Sequence, residues 1–297
     1  MKVLVTGATG FVGPAVANAI VDVGHEVRVL ERKPGAWKEA GIRCQEAAQG
    51  DVTDPDSLRR AAEGADVAVH LVAIRQGKPE QFQRVMIGGT RNLLAAAKEA
   101  GVRRFVLMSA LGTSEETKDL VPYYNAKWSM EQDTKAFVEH VIFRPSFVFG
   151  SGGGILPTFK KMARIAPVTG IIGSGEQRIQ PIWIDDVGAY FARAIDLPEA
   201  ANRTFELGGP DQVTWNEFWR RLRATLGIRR RPTLHLPIGL MRVPALVTER
   251  LPGNIPLTRD LLKMLEAGDN VVSNDDAVRT FGLPLVPLDE QLRRVAE

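Results

Sequence analysis

Residues 2–13 read Lys-Val-Leu-Val-Thr-Gly-Ala-Thr-Gly-Phe-Val-Gly, an apolar run that ends in three evenly spaced glycines. After them, Val16, Ile20 and Val23 recur at helical spacing. The order is therefore strand, glycine-rich turn and helix. That order is the arrangement that holds the pyrophosphate of a dinucleotide.

Each glycine of this turn has its own physical task. Gly7 lets the chain reverse sharply after the strand, Gly10 removes a side chain where backbone must approach phosphate, and Gly13 lets the helix pack closely. Pro14 fits the first helical turn, where no N–H bond is lost. The helix start then offers N–H groups and the positive end of its dipole to the phosphates.

Strands and helices alternate through the first half of the chain. The apolar runs predict strands at residues 1–6, 26–30, 42–47, 66–72, 104–108 and 140–143. Helices are expected after residue 54, over about 80–100 and over 185–195, with a further strand at 204–207. Mostly apolar strands that alternate with helices predict an α/β fold with a doubly wound parallel sheet, the Rossmann arrangement.

The composition of the sequence changes at Gly150, where a glycine-rich segment leads into short predicted elements. We expect residues 1–150 to form a dinucleotide-binding domain, joined by about 182–210. Residues 151–181 and 211–297 are expected to form a smaller, discontinuous substrate-binding domain. Along the expected substrate pocket, Trp183, Trp215 and Phe218 are interpreted as core residues rather than ligand platforms.

Composition excludes several classes of protein. The formal net charge is +3, and the one basic cluster, residues 229–231, has no aromatic residues interleaved, so a nucleic-acid partner is not expected. The single cysteine, Cys44, excludes an internal disulfide and a cysteine-based metal cluster, and it suits a reducing cytoplasm. Cys44 itself is expected in the core of the third strand, and no metal site is predicted.

The chain has no apolar run long enough to span a membrane and no recognisable signal peptide. Residues 236–251 are apolar but interrupted by prolines and charges, which is typical of an amphipathic helical flap. Weak contact of this flap with a membrane surface is the minor alternative.

Tyr123 and Lys127 lie four residues apart in a segment read as helical, which places both side chains on one face. A tyrosine ionises near pH 10, so a pKa near 7 requires roughly 4 kcal/mol of phenolate stabilisation, which a neighbouring ammonium and a positive nicotinamide ring can share. Such a tyrosine can act as general acid or base on a carbonyl or an alcohol. Tyr124 is the competing candidate, but it lies three residues from Lys127.

The glycine spacing of residues 7–13, together with Tyr123 and Lys127 after the fifth strand, resembles the short-chain dehydrogenase/reductase superfamily. The resemblance covers nearly the whole chain and is best to the extended and atypical branches, which include epimerase/dehydratase-like bacterial proteins and the NAD(P)H-binding accessory subunit of mitochondrial complex I. It implies that Tyr123 is the catalytic acid/base and that Lys127 tunes it and bonds the nicotinamide ribose.

Two other members of that family's catalytic set do not match. Ala110 stands where the family places a catalytic Ser or Thr, and Met86 stands where it places an Asn. Ser109, Thr113 or Ser114 are the residues that would supply a hydroxyl instead.

The choice of cofactor depends on the end of the second strand. Glu31 stands where NAD-specific members hold the ribose hydroxyls, whereas Arg32 stands where NADP-using members bind the 2′-phosphate, and Lys33 adds a second cation. The alternative, which gives them no role in binding, is that Glu31 and Arg32 are solvated residues at a strand end. NADP(H) is favoured, and NAD(H) is the alternative.

The resemblance implies further cofactor contacts along the chain. Asp51 would bond the adenine amino group, and Val148 would offer a backbone N–H to the nicotinamide carboxamide, whereas His70 is expected to be a core histidine. Asp185 or Asp186 is expected to cap a helix. The remaining implied contacts are Thr9, Phe11, Val12, Val52, Leu71, Val72, Ala73, Met108, Ser109 and Pro145.

Two functions of different classes follow from these patterns. In the first, the protein is an NAD(P)H-dependent oxidoreductase or epimerase that acts on a small molecule whose identity the sequence leaves open. In the second, it binds NADP(H) without turnover, as a structural or sensing member of a redox or assembly complex. The Tyr123–Lys127 pair favours the first, and Ala110 with Met86 favours the second.

Overall fold

The computed structural model describes residues 1–229, 231–249 and 257–296. The chain divides into two compact units, each made of separate stretches of sequence. The first unit contains Met1–Pro145, Ile184–Leu207 and Ser273–Pro284, and the second contains Ser146–Trp183, Gly208–Val272 and Leu285–Glu297. Arg230 of the basic cluster and residues 250 and 251 of the expected flap lie outside the described residues.

A seven-stranded sheet forms the centre of the first unit, and every pairing in it is parallel. Its strands, numbered along the chain, are β1 (Lys2–Thr6), β2 (Glu26–Glu31), β3 (Glu46–Gln49), β4 (Val67–His70), β5 (Arg104–Met108), β6 (His140–Pro145) and β11 (Arg203–Leu207). Their order across the sheet is β11-β6-β5-β4-β1-β2-β3. The strand order reverses between β1 and β4, so the predicted doubly wound parallel sheet is confirmed.

Helices cover both faces of this sheet. The helices of the first unit are α1 (Gly13–Asp22), α2 (Ala36–Glu39), α3 (Pro55–Ala62), α4 (Pro79–Gln81), α5 (Gly89–Glu99), α6 (Pro122–Lys135), α8 (Ile184–Arg193) and α12 (Asp275–Phe281). A π-helical segment, Phe82–Gly88, joins α4 to α5, and a 3-10 turn spans Pro198–Ala200.

One face of the sheet packs against α3, α5 and α6. Leu58, Leu93 and Met130 from these helices meet Leu4 and Phe105 of the strands in one apolar cluster. On the other face, α1 packs closely on α8, because a Cβ added to Gly188 would lie 2.7 Å from the carbonyl oxygen of Ala15. Successive strand residues point to opposite faces, which is why the strands are apolar almost throughout.

The second unit is built from short strand pairs and helices. Its strands are β7 (Val148–Phe149), β8 (Thr169–Ile172), β9 (Arg178–Ile179), β10 (Ile182–Trp183), β12 (Val213–Thr214) and β13 (Thr233–Leu236). They pair as β7 with β10 and β8 with β13 in parallel, and β9 with β12 in antiparallel. Its helices are α7 (Leu156–Ile165), α9 (Trp215–Thr225), α10 (Ile238–Thr248), α11 (Arg259–Glu266) and α13 (Leu288–Ala296).

Aromatic side chains make up much of the core of the second unit. Phe159 of α7 lies with its ring centroid 5.4 Å from that of Phe218 and 5.7 Å from that of Trp215. Trp183 is also buried. Trp183, Trp215 and Phe218 are therefore core residues, as the sequence predicted.

The third strand differs from its expected place. The prediction was a strand over 42–47 with Cys44 in its core, whereas β3 is Glu46–Gln49 and Cys44 lies half-buried before it. The apolar signal came from Ile42, which is buried in the preceding turn with its N–H donating to the carbonyl oxygen of Trp37. β3 itself is the edge strand and is mostly exposed.

The boundaries of the two units also differ from the expected ones. Residues 146–150 belong to the second unit, because β7 pairs with β10. Residues 273–284 belong to the first unit, because Phe281 of α12 packs among aromatic rings of β6, α8 and β11. The functions assigned to the two domains stay predictions.

Across the described parts of the chain, no helix has both the length and the apolar character needed to cross a membrane. Within the expected flap, residues 238–248 form α10. Its contact with a membrane surface stays a prediction.

Candidate functional site

The glycine-rich turn lies where the strand order reverses, at the carboxyl ends of β1 and β4. Gly7 follows β1 with a φ of +76°, a left-handed conformation that favours glycine. A Cβ at this position would lie 2.9 Å from both the carbonyl carbon of Leu71 and the nitrogen of Val72. Leu71 in turn donates its N–H to the carbonyl oxygen of Thr6 over 3.0 Å. The structure thus brings Gly7, Leu71 and Val72 together at the crevice where such sheets bind ligands.

The rest of the turn leads directly into α1. Gly10 donates its N–H to the carbonyl oxygen of Gly7 over 3.0 Å. A Cβ at Gly13 would lie only 2.0 Å from the carbonyl oxygen of Ala8, so Gly13 lets the helix start pack closely on the turn, whereas the predicted close contact was with the sheet. Thr9 is exposed on this turn, Phe11 is half-exposed and Val12 is buried. In the described chain no side chain caps the start of α1, which leaves its first N–H groups for an anion.

Glu31 is a buried residue with a structural task. Its Oε1 accepts from the N–H of Gly35 over 2.9 Å, and its Oε2 accepts from the N–H of Trp37 over 3.2 Å, at the start of α2. The interpretation of Glu31 as a solvated strand end is therefore wrong. Arg32 and Lys33 beside it are exposed.

Positive charge gathers around Asp51. Partial burial raises the pKa of Asp51, but hydrogen bonds from Thr53 and the guanidinium groups of Arg32 and Arg84 outweigh it and lower that pKa. Asp51 Oδ1 accepts from the N–H and the hydroxyl of Thr53 over 2.8 and 2.7 Å. Arg84, in the π-helical segment, was missed by the sequence reading because its proximity to Asp51 arises only on folding.

The other implied adenosine contacts vary in exposure. The Val52 side chain is buried against Gly89, where an added Cβ would lie 2.7 Å from Val52 Cγ2. Leu71 is buried, Val72 is half-buried and Ala73 is exposed. Their contacts with a nucleotide stay predictions.

Tyr123 and Lys127 share one face at the start of α6. The Lys127 side chain is 1% exposed, and its Nζ donates to the carbonyl oxygen of Met108 over 2.6 Å. The same Nζ lies 5.8 Å from the ring centroid of Tyr123, which is half-buried. The structure therefore brings the phenol and the ammonium together at the carboxyl end of β5.

Burial dominates the ionisation of both groups. It lowers the pKa of Lys127 to about 7, with the carboxylate of Glu131 opposing the shift. It raises the pKa of Tyr123 above the usual tyrosine value, helped by Tyr124 and opposed by Arg75. The expected lowering of the Tyr123 pKa is thus absent from the chain alone, because desolvation outweighs the positive charge near it.

Two of the three candidate hydroxyl groups are buried without a partner. Ser109 is 2% exposed and Thr113 is 1% exposed, and neither hydroxyl has a hydrogen-bond partner in the described part of the chain. Ser114 differs, since its Oγ lies 3.2 Å from the hydroxyl of Thr117. Met86, in place of the family's Asn, is fully buried in the π-helical segment.

His70 is a core histidine, as expected. Its Nδ1 lies 2.6 Å from the hydroxyl oxygen of Thr6, and its Nε2 lies 3.1 Å from that of Thr90. Complete burial, with Lys127 acting in the same direction, lowers the pKa of His70 to about 3. The imidazole is therefore neutral at pH 7 and ties β1 and β4 to α5.

A buried ion pair behind the Tyr123–Lys127 pair was missed by the sequence reading. Arg144 donates through Nε and a terminal nitrogen to the two carboxylate oxygens of Glu131, over 2.8 and 2.6 Å. Glu131 is fully buried. The signal in the sequence was the position of Glu131, one helical turn after Lys127 on the same face.

The other residues that were predicted to contact the cofactor or to cap a helix differ in where the structure places them. Pro145 is buried, and its carbonyl oxygen accepts from the N–H of Leu111 over 3.0 Å. Val148 belongs to the second unit, in β7, and its contact with a carboxamide stays a prediction. Asp185 and Asp186 lie in the first turn of α8 and not at its cap, because the helix already begins at Ile184.

These residues fit a nicotinamide dinucleotide. At Gly7 the backbone leaves no room for a Cβ, and the start of α1 has no side-chain cap in the described chain. The Lys127 ammonium donates to the carbonyl oxygen of Met108, and its bond to ribose hydroxyls stays a prediction. The buried hydroxyls of Ser109 and Thr113 still lack partners among the described residues.

Curated relatives with known activities are similar over most of the chain. A 2-alkyl-3-oxoalkanoate reductase of Stenotrophomonas maltophilia is 26% identical over 99% of this chain and 98% of its own. A ceramide reductase of Caulobacter vibrioides is 30% identical over 82% of this chain and 77% of its own. The mitochondrial NADH dehydrogenase [ubiquinone] 1 alpha subcomplex subunit 9 of Rattus norvegicus is 26% identical over 98% of this chain and 79% of its own.

The fold is also that of a solved epimerase. The crystal structure of the UDP-glucose 4-epimerase of Thermotoga maritima superimposes with a TM-score of 0.76, at 20% identity, over all of this chain and 97% of the other. The sequence model of the NAD dependent epimerase/dehydratase family matches residues 3–208. The chain belongs to the NAD dependent epimerase/dehydratase family.

Proposed function

We propose that this protein is an NAD(P)H-dependent oxidoreductase that reduces a carbonyl group, with Tyr123 as its acid/base. The observation that carries the proposal is the Tyr123–Lys127 pair, whose ammonium bonds the carbonyl oxygen of Met108 at the carboxyl end of β5. Two curated relatives, similar over most of the chain, are named as reductases of oxo or lipid substrates.

The residues of the pair would move one proton during the reaction. Bound NAD(P)H supplies the hydride. The Tyr123 hydroxyl donates its proton to the substrate oxygen in reduction and takes it back in oxidation. Lys127, when protonated, stabilises the phenolate that remains, and Ser109 or Thr113 would donate a hydrogen bond to the same oxygen. Tyr123, whose pKa burial raises, carries at neutral pH the proton that reduction would require.

We favour NADP(H) as the cofactor, with NAD(H) as the alternative. The Glu31 carboxylate, which an NAD site would use, is engaged by the N–H groups of Gly35 and Trp37. Arg32 is exposed at the same strand end, where a guanidinium can form charge-assisted bonds to a 2′-phosphate.

A binding protein without turnover is the second candidate. Ala110 and the buried Met86 replace two members of the family's catalytic set, and the pKa of Tyr123 is raised in the chain alone. One curated relative is named as a subunit of a mitochondrial NADH dehydrogenase. These observations favour a role within a redox complex.

The decisive experiment compares Tyr123→Phe with Tyr124→Phe. Both remove one hydroxyl from α6, and Tyr123 is the residue whose ring lies 5.8 Å from Lys127 Nζ, at the i,i+4 spacing. Cofactor affinity is measured from nicotinamide fluorescence, and turnover is screened with 3-oxo acids, aldehydes, quinones and sugar nucleotides. We expect Tyr123→Phe to bind NADPH normally and to lose activity at least a hundredfold. If the wild type binds NADPH without turnover, or if both variants stay active, the catalytic proposal is wrong.

The choice of cofactor is tested with Arg32→Ala. We expect it to weaken NADPH roughly tenfold or more, since a bond to a charged group is lost, and to leave NADH nearly unchanged. Lys38→Ala removes an exposed cation from α2 and serves as the control. Equal losses for the two cofactors would mean that Arg32 does not bind the phosphate.

A further inference from the structure

The carboxyl-terminal end of α7, in the second unit, exposes apolar and basic side chains together. Met162 is 42% exposed, Ile165 is 69% exposed, and Val168, just beyond the helix, is 37% exposed. Lys161 and Arg164 are exposed between them. With Arg229, these residues make up what we name the α7 surface.

Arg231 holds the parts of this surface together. Its guanidinium donates to the carbonyl oxygens of Ala163 and Arg164, each over 3.1 Å, and to that of Ala166. Thr169 donates its N–H to the carbonyl oxygen of Pro232 over 2.9 Å. Arg231 and Pro232, which follow Arg229 closely in the chain, therefore contact the end of α7 and the residues just beyond it.

The segments that build this surface contain no acidic residue. Residues 140–175 and 218–248 have no Asp and no Glu. The carboxylates on the neighbouring helices are already paired, since Glu217 of α9 and Glu290 of α13 each bond arginines of their own helix. Asp289 of α13 bonds Arg221. The carboxylates of these segments and helices therefore do not neutralise the positive charge of the α7 surface.

The chemistry of the α7 surface distinguishes between the partners it could take. A second copy of the chain, docked by the same surface, would place cations against cations. Single-stranded nucleic acid would stack its bases on aromatic side chains, but Phe159, the aromatic residue of α7, is packed against Trp215, Phe218 and Trp219. A duplex would offer phosphates to the cations but no apolar phase to the exposed aliphatic side chains. Exposed aliphatic side chains interleaved with cations match a bilayer, whose acyl boundary takes the former and whose phosphates take the latter.

We propose that the α7 surface docks this protein on the surface of an anionic lipid bilayer. Met162, Ile165 and Val168 enter the boundary between headgroups and acyl chains, and Lys161, Arg164 and Arg229 contact the lipid phosphates. The contact is peripheral, because α7 is ten residues long and lies on its side at the interface. It uses residues other than the apolar segment 236–251.

The test is sedimentation of the full chain with vesicles. The vesicles contain either phosphatidylcholine alone or equal amounts of phosphatidylcholine and phosphatidylglycerol. We expect binding to the mixed vesicles that weakens as salt is added. The double variant Lys161→Ala/Arg164→Ala should weaken that binding roughly thirtyfold. Met162→Ser/Ile165→Ser should weaken it at least tenfold.

Matched controls lie on exposed sites of the first unit. Arg60→Ala/Lys98→Ala removes two exposed cations, and Val138→Ser removes a side chain that is 77% exposed, so both should bind vesicles as the wild type does. Thermal unfolding by circular dichroism checks that every variant is folded.

Several results would overturn the proposal. In the first, the wild type binds the two kinds of vesicle equally or binds neither. In the second, the α7 variants bind the mixed vesicles as well as the controls do. A change in oligomeric state for the α7 variants, seen by analytical ultracentrifugation without vesicle binding, would assign the surface to a contact between copies. Capture of short duplex DNA in place of vesicles would assign it to nucleic acid.

Discussion

Lys127 is buried in a place where its charge is costly, and this has a consequence for stability. Its pKa is lowered to about 7, whereas in the unfolded chain it is near the usual 10.4. Between these two values the unfolded state binds one proton more than the folded state. Stability therefore rises with pH through this window, as the penalty of the buried ammonium disappears.

We expect Lys127→Met to remove this dependence. Relative to the variant, the wild type should gain free energy of unfolding as the pH rises from 7 towards 10, and the two should run in parallel below pH 6. Urea denaturation at several pH values measures the difference. Lys135→Met, an exposed lysine on the same helix, is the control and should follow the wild type. Parallel curves for Lys127→Met and the wild type would mean that Lys127 is not neutralised by folding.

For single residues, the sequence predicts which positions are important better than it predicts the burial and the contacts of their side chains. Gly7 and His70 have the environments that their positions predicted. The contacts of Glu31 were not predicted, since its carboxylate accepts from the N–H groups of Gly35 and Trp37, and its bond to a ribose stays a prediction. The raised pKa of Tyr123 in the chain alone was not predicted, since the degree of burial of a phenol depends on residues distant in the sequence.

Helix α6 carries the candidate acid/base, and one ion pair fastens it to the sheet. Glu131 lies one turn after Lys127 and accepts two hydrogen bonds from Arg144 at the carboxyl end of β6. A fully buried carboxylate that loses its partner, or a guanidinium left alone beside it, costs far more than an exposed pair. The pair therefore fixes where Tyr123 and Lys127 stand.

We expect Glu131→Gln to lower the free energy of unfolding by about 3 kcal/mol, since Arg144 loses its buried counter-charge and keeps only Glu206, at 4.0 Å. The control is Asp133→Asn on the same helix, which breaks the more exposed pair with Arg91 and should cost about 1 kcal/mol or less. Urea denaturation measures both. Similar losses for the two variants would contradict a special role of the buried pair.

Elements with a strong periodicity of apolar residues were predictable from the sequence. The bounds of elements that depend on tertiary packing were not. The helix over about 80–100 appears as α4, the π-helical segment and α5 in succession, and the sequence carried no signal for the π turn at Phe82–Gly88. β3 was misplaced because Ile42 is buried from a turn and not from a strand. An apolar residue indicates that its position is buried. Whether it is buried from a strand, a helix or a turn depends on the elements that pack against it.

At the scale of the whole molecule, alternation of strands and helices predicts the sheet, but not which late segment returns to it. Residues 273–284 carry no motif, and yet α12 belongs to the first unit. The reason is a tertiary contact. The Phe281 ring centroid lies 5.5 Å from Phe143, 5.2 Å from Tyr190 and 5.0 Å from Phe205. These residues come from segments far apart in the sequence, so no local pattern could reveal their meeting.

This contact predicts that α12 is needed for the stability of the first unit. Phe281 is 6% exposed, and Phe281→Ala should lower the free energy of unfolding by about 3 to 5 kcal/mol through lost burial and the cavity left behind. Val278→Ala, on the same helix but 38% exposed, is the matched control and should stay within about 0.5 kcal/mol of the wild type. Urea denaturation gives the two values, and proteolysis reports whether residues 273–284 detach. Equal stability of the two variants would mean that α12 only rests on the first unit, whose sheet would then be complete without it.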